Sequence, residues 1–129
     1  MKVIVDITSE SRFPINRKII RNAVQQYITL HKLRSDVVVE VAVVGDRKMH
    51  SLNKTYRQLD TTTTLLSFGY EDPHRATTFV EPPDNILRLG SIVISYPQAV
   101  RRAGEDGMMV DDKFSQLIEH GMKNLLNID

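Results

Sequence analysis

Alternating β-prone runs and helical apolar stripes divide the first part of the chain into predicted elements. Residues 2–6 (KVIVD) and 36–45 (DVVVEVAVVG) are rich in valine and isoleucine, which predicts two strands. Between them, Pro14 suits the first position of a helix, and apolar residues recur at three- and four-residue spacing from Ile15 to Ile28. This spacing predicts an amphipathic helix that packs on a sheet.

The same two kinds of pattern continue through the middle of the chain. Asp46 is a candidate cap for a second helix over residues 46–59. The segments 65–68 (LLSF) and 91–95 (SIVIS) predict two further strands. Between these strands, residues 70–88 are rich in proline and acidic side chains, which predicts a surface loop.

Two more helices complete the predicted order of elements. Pro97 opens a helix that Gly107 closes, and Asp111 caps the last helix. The order is therefore β-α-β-α-β-β-α-α. It favours an α/β (α+β-like) fold, a single-domain sandwich over residues 1–129 in which about four helices cover a small mixed four-stranded sheet.

Length and composition exclude several classes of protein and site. A chain of 129 residues suits one domain that folds without a disulfide or a structural metal. It has no cysteine, so thiolate zinc sites and cysteine nucleophiles are excluded, and histidine and carboxylate chemistry remain. No apolar run reaches the roughly 18 residues of a membrane span, and the first residues do not resemble a signal peptide. We therefore expect a cytoplasmic protein without a membrane partner.

Charge is polarised along the sequence although the net charge is only +1. Residues 1–59 carry 11 basic and 5 acidic side chains, whereas residues 60–129 carry 6 basic and 11 acidic ones. A basic half can supply contacts to phosphates. The alternative is scattered solubilising charge, because halves of a sequence need not form faces of a fold.

The predicted last helix carries His120 and, four residues later, Asn124. Side chains at this spacing project together, which is why two histidines placed so can hold zinc. An amide oxygen is a poor zinc ligand. The spacing alone therefore favours a structural role for His120.

Three separated stretches carry a resemblance to a known family. They are LNKTYRQLDTTTTLLSF (52–68), LGSIVIS (89–95) and HGMKNLLNID (120–129). In this order they resemble the signatures LNxxYRxxDxPTDVLSF, LGDIxIS and HGxLHLxGYDH of the YbeY family, the bacterial endoribonucleases of ribosomal RNA maturation. The resemblance implies a small α/β fold related to metal-dependent hydrolases. It also implies a zinc held by three motif histidines and an arginine important for RNA cleavage.

The metal-binding motif departs from the family pattern. His120 fills the first ligand position, Asn124 stands at the second, and the third would fall at residue 130, directly after Asp129. The resemblance thus implies a degenerate site in which His120 is the only matching ligand and Asn124 and Asp129 lie at or near the other positions. We therefore expect no required cofactor, with zinc bound only if other ligands complete the site.

Two acidic motif positions also differ, and one basic position is kept. Thr64 and Ser91 stand where the family has aspartates, and we expect both to share one cleft with His120. Arg57 fills the position of the family arginine. The expected RNA-binding residues, all basic and on the second helix, are Arg47, Lys48, Lys54 and Arg57.

The resemblance implies an endoribonuclease that acts on single-stranded RNA in ribosomal RNA maturation. The 2′-hydroxyl of RNA is an internal nucleophile, so Arg57 and His120 form a workable catalytic pair without metal. The alternative is a non-catalytic ribosome-assembly or RNA-binding factor, and a third candidate is a zinc hydrolase with a repaired site. Family partners would be a small-subunit ribosomal protein and an assembly GTPase. The other histidines, expected to face solvent, are His31, His50 and His74.

Overall fold

Eight elements follow one another in the predicted order in the computed structural model, which describes residues 2–33, 35–70 and 86–126. The elements are β1 (Val3–Ser9), α1 (Arg17–Leu30), β2 (Asp36–Val44), α2 (Asp46–Arg57), β3 (Leu65–Gly69), β4 (Ile86–Ser95), α3 (Tyr96–Glu105) and α4 (Val110–Leu126). Among the described helices, none combines the length and apolar character that crossing a bilayer requires.

The four strands form one mixed sheet in the order β1-β2-β4-β3, which confirms the predicted sheet. β2 pairs parallel with both β1 and β4, and β3 pairs antiparallel with β4 at the edge. Side chains alternate between the two faces, so every second residue of β2, from Val37 to Val43, is buried on one face. The intervening residues face the opposite side.

The two faces of the sheet are covered unequally. α1 and α4 pack on one face and enclose the larger core. On the other face α2 covers a smaller core, which is formed by Met49, Leu66, Phe68 and Val93. The rest of this second face, here named the open face, carries a groove of about 570 Å³ whose lining includes Asp6, Glu40 and Ser91. Helices therefore cover one face more completely than the other.

The starts of all four helices differ from the predicted ones by one to three residues, and α3 begins at Tyr96, one residue before Pro97. α1 begins at Arg17 rather than at Pro14, because Asn16 caps it by accepting a hydrogen bond from the Ile19 amide at 3.2 Å. α4 begins at Val110, and the Asp111 carboxylate accepts from the Asn16 side chain at 3.1 Å instead of capping the helix.

Asp46 is likewise not the cap of α2. Gly45 occupies the cap position, and Asp46 is the first helical residue. Its carboxylate accepts hydrogen bonds from Ser95 at 2.8 Å, from Gln98 at 3.2 Å and from Thr62 at 3.3 Å. Asp46 therefore ties the start of α2 to the start of α3 and to the segment before β3.

The predicted loop over residues 70–88 is wrong at its C-terminal end. β4 already begins at Ile86 and carries a register shift between Val38 and Val39 of its partner strand β2. Gly90 lies beside this irregularity with φ +135°, a backbone conformation that L side chains rarely adopt. Residues 71–85, which include His74, lie outside the described residues.

Gly121 lets α4 approach the sheet closely. A Cβ atom at this position would lie 2.9 Å from the Ile92 side chain. We expect Gly121→Ala to lower the free energy of unfolding by about 1–3 kcal/mol, because Ile92 is fully buried and has to move. Urea unfolding of both proteins measures this difference. An alanine variant as stable as the original chain would contradict such tight packing.

Candidate active site

Arg57 is the last residue of α2 and is held against the edge strand β3. Its Nη2 donates a hydrogen bond to the Ser67 carbonyl oxygen at 2.8 Å. Its Cζ lies 4.7 Å from the centroid of the Phe68 ring, a cation–π contact. The helix ends here because Gln58 adopts a left-handed conformation with φ +59°. These contacts fix the direction of the guanidinium group.

His120 and Asn124 lie on an exposed flank of α4 that faces β3. They are four residues apart, so their side chains project from the same side of the helix. The Asn124 amide nitrogen lies 3.4 Å from the Ser67 hydroxyl oxygen, at the long end of hydrogen bonding. Gly121 on the same helix permits this close approach to the sheet.

Ser67 contacts one residue of each of the two helices α2 and α4. Arg57 binds its backbone oxygen, while Asn124 contacts its side chain. The two contacts approach the edge strand from different sides, because the Phe68 ring under Arg57 packs with α2 whereas the Ser67 side chain is directed towards α4. His120 lies one turn before Asn124 on α4. The sequence pattern includes Ser67 among the matching motif residues but does not predict this role.

Two side chains of α2, Asn53 and His50, hold the segment that connects α2 to β3. Asn53 is buried, and its side chain donates to the Thr61 carbonyl oxygen at 2.9 Å. His50 Nε2 lies 2.7 Å from Asp60 Oδ1. The hydrogen bond with His50, and then the charge of Lys54, hold the pKa of the Asp60 carboxyl below its ordinary value. His50, expected only to face solvent, is half-exposed and paired.

The donor set at this site does not fit a zinc ion. A zinc site of this kind needs three strong protein ligands, and His120 is joined here by an amide. Within residues 2–33, 35–70 and 86–126, no group of three histidine or carboxylate side chains is arranged to hold a metal. Asp129 lies outside the described residues.

Ser91 does not share a cleft with His120, so that expectation is wrong. Its Oγ donates to Glu40 Oε2 at 2.8 Å in the groove of the open face. The neighbouring residue Ile92 points to the opposite side, where it contacts α4 at Gly121. Strand alternation therefore puts Ser91 and α4 on different faces of the sheet. Thr64, the other departing position, is buried before β3.

The predicted RNA-binding cations do not all lie on one face of α2. Lys54 and Arg57 are in its last turn, where cations interact favourably with the C-terminal end of a helix. Lys48 lies instead beside Leu52 in the groove of the open face. Arg47 is exposed in the first turn.

Known proteins provide independent evidence for the family. A family model described as Endoribonuclease YbeY matches residues 6–129. A curated relative of the same name from Roseiflexus castenholzii is 31% identical over 130 residues, which cover 99% of this chain and 80% of the relative. Another from Dehalococcoides mccartyi is 39% identical over 94 residues, which cover 69% of this chain and 59% of the relative.

A solved structure supports the fold. The solution structure of a protein from Thermotoga maritima superposes with a TM-score of 0.60 and covers 98% of this chain and 74% of its own. At 20% identity this likeness concerns the fold alone. The family model spans nearly all of the chain and includes Arg57, Ser67 and His120. The chain therefore belongs to the YbeY family of endoribonucleases.

Proposed function

We propose that this protein cleaves single-stranded RNA during ribosomal RNA maturation, with Arg57 on the scissile phosphate and His120 as the proton-transfer group. One observation carries the assignment of these residues. Arg57 and Asn124 both contact Ser67 on the edge strand, and this supports pairing the arginine with His120, which lies one turn before Asn124 on α4. Family membership supports the reaction and the class of substrate.

The proposed reaction is an internal transesterification. The 2′-hydroxyl oxygen attacks phosphorus, the bond to the 5′-oxygen breaks, and a 2′,3′-cyclic phosphate and a 5′-hydroxyl result. The proton lost by the 2′-hydroxyl is balanced by the proton that the 5′-oxygen gains. A histidine can accept the first or donate the second, which is why His120 suits this role.

Arg57 supplies the charge that the reaction requires. A guanidinium group binds two phosphate oxygens at once and stabilises the negative charge that develops at phosphorus. Its contacts with Ser67 and Phe68 fix its direction before substrate binds. Since the described donor set does not fit zinc, we assign no step to a metal and propose that no cofactor is required.

Single-stranded RNA is the proposed substrate because unpaired bases can be splayed over a surface, whereas the deep groove of an A-form duplex is closed to side chains. Aromatic residues make up 6% of the chain and tryptophan is absent, so stacking on bases is limited. We therefore propose modest sequence preference and salt-sensitive binding. A small-subunit ribosomal protein and an assembly GTPase are the proposed partners, and the cytoplasm is the proposed location.

Cleavage assays with two forms of one RNA test this function. We expect the purified protein to cut a labelled single strand and to leave the same strand intact when it is annealed to its complement. His120→Ala is expected to slow cutting by about 100-fold or more, because the proton-transfer group is lost. Product ends identified by mass spectrometry should be a 2′,3′-cyclic phosphate and a 5′-hydroxyl.

His31→Ala is the matched control, since His31 lies at the end of α1 and its ring packs at a tilt against the Tyr27 ring. Its cutting rate should equal that of the original chain. Well-folded protein that cuts neither RNA would contradict the proposed function. Equal rates for the two histidine variants would remove His120 from the mechanism.

A further inference from the structure

Two arginines, a lysine and a histidine follow one another along a single face of α2. They are Arg47, His50, Lys54 and Arg57, here named the α2 stripe. Their spacing of three, four and three residues places them within a sector of roughly 80° around the helix axis. The stripe extends for about 15 Å. It ends at Arg57, so it leads directly to the candidate active site.

Lys48 shows that this arrangement is not a property of the whole helix. It lies about 160° around the axis from His50, on the side that borders the groove of the open face. A strand of RNA that runs along the α2 stripe therefore passes on the opposite side of the helix from Lys48. The two lysines Lys48 and Lys54 thus form a matched pair for comparison.

His50 is the member of the α2 stripe that is bonded to a carboxylate. Its Nε2 is bonded to Asp60 Oδ1 at 2.7 Å, and Lys54 Nζ lies 3.9 Å from the same oxygen. With Nε2 engaged, Nδ1 is the other ring atom that can bind a ligand, and it is a donor when the ring is protonated. Histidine is the side chain that changes charge between about pH 5 and 8.

Among the described residues, the charged neighbours of His50 come from α2 and from the segment that follows it. On α2 itself they are Arg47, Lys54 and Asp46, and the Asp46 carboxylate is already hydrogen-bonded by Thr62, Ser95 and Gln98. From the segment after α2 the charged neighbour is Asp60. The pKa of Asp60 lies below its ordinary value, so this carboxylate stays negative throughout the range in which histidine titrates.

We propose that the α2 stripe is the path of the RNA backbone to the active site, and that His50, oriented by Asp60, adds a phosphate contact when it is protonated. This inference rests on the proposed RNA substrate. RNA binding along the stripe is then tighter at lower pH. Asp60 weakens binding at higher pH, because its negative charge stays beside the path while the imidazole is neutral.

Binding of an RNA that cannot be cut tests this inference separately from catalysis. The probe is a fluorescent 2′-O-methyl oligouridine, in which the nucleophile is blocked, and the readout is anisotropy over a salt series. At about pH 6 the slope of log K against log salt should be steeper by about 0.7 than at about pH 8, as expected for one more phosphate contact on a single strand. Affinity should rise by about three- to tenfold.

Variants assign this pH dependence to His50. In a His120→Ala background, which removes the histidine of the active site, His50→Gln should bind equally at both pH values, whereas His31→Gln should keep the difference. Lys54→Gln should weaken binding at both pH values, and Lys48→Gln should not. Asp60→Asn should tighten binding at the higher pH, since the repelling charge is removed. Circular dichroism of each variant confirms that α2 is intact.

The inference is overturned if the pH dependence persists in His50→Gln when His120 is also replaced by alanine, or if Lys48→Gln and Lys54→Gln weaken binding equally. Failure of the proposed function has a different signature, because the probe would still bind while natural RNA stays uncut. If folded protein bound no RNA at all, both this inference and the proposed function would be contradicted.

Discussion

Arg57→Ala is expected to slow cleavage of single-stranded RNA by about 100- to 1,000-fold, the usual loss when one preorganised donor to a developing negative charge is removed. The Ser67 carbonyl oxygen and the Phe68 ring orient the guanidinium before substrate binds. Single-turnover cleavage of a labelled strand measures the effect. Arg57→Lys should recover little of the rate, because an ammonium group cannot bind two phosphate oxygens in a fixed plane.

Arg101→Ala is the control for this substitution. Arg101 is an exposed arginine on α3 that pairs with Glu105, and its loss should leave the rate unchanged. Unfolding curves of all variants separate an effect on chemistry from an effect on stability. Cleavage by Arg57→Ala at the rate of Arg101→Ala would show that the guanidinium does not act on the phosphate.

Gly90→Ala is expected to lower the free energy of unfolding by about 3 kcal/mol or more, because it combines a strained backbone with a steric overlap. A Cβ atom at residue 90 would lie 2.1 Å from the Phe68 carbonyl oxygen, and this contact is to backbone of the paired strand. This overlap is relieved only if β3 shifts. Since Ser67 lies on β3, RNA cleavage should fall together with stability.

Gly104→Ala is the matched control for Gly90→Ala. Gly104 lies within α3, and a Cβ atom there would meet nothing within 4 Å. This change should therefore raise stability by up to about 1 kcal/mol, since alanine favours the helix over glycine. Guanidinium unfolding compares the two. Equal stability of the two variants would rule out the close approach of β3 to Gly90.

The order of elements could be predicted from the sequence because it depends on local patterns. Every predicted helix and strand exists, and the sheet is mixed and four-stranded as expected. The start of β4 was predicted wrongly, since Ile86 to Arg88 follow an acidic, proline-containing stretch and their pairing partner β2 is distant in sequence. Aspartate is a common helix cap, so the local sequence suggests this role for Asp46. Its actual partners Ser95 and Gln98 are about 50 residues away in the sequence, where a local pattern cannot reveal them.

Only those residues of the candidate site that match a family motif could be predicted from the sequence. Arg57, His120 and Asn124 follow from matched motif positions, and their roles remain predictions. The contacts of Arg57 and Asn124 with Ser67 depend on how the edge strand packs against α2 and α4, and no local sequence pattern contains this information. Ser91 was assigned to the same cleft because motif positions carry no information about the face of a strand.

The sequence contains a helical pattern of basic residues around His50 that the family motifs do not include. Basic side chains at positions 47, 50, 54 and 57 have the spacing of a single helical face. Matching against family motifs leaves His50 without a role. Its partner Asp60 is brought back towards the helix by the left-handed residue Gln58, and this turn is not evident from composition.

Cleavage of single-stranded RNA by metal-stripped protein tests the central claim most directly. The protein is treated with EDTA, its zinc content is measured by elemental analysis, and its rate is compared with that of untreated protein. An active site built on Arg57 and His120 predicts the same rate before and after stripping. Loss of cleavage on stripping, with full recovery when stoichiometric zinc is returned, would contradict it.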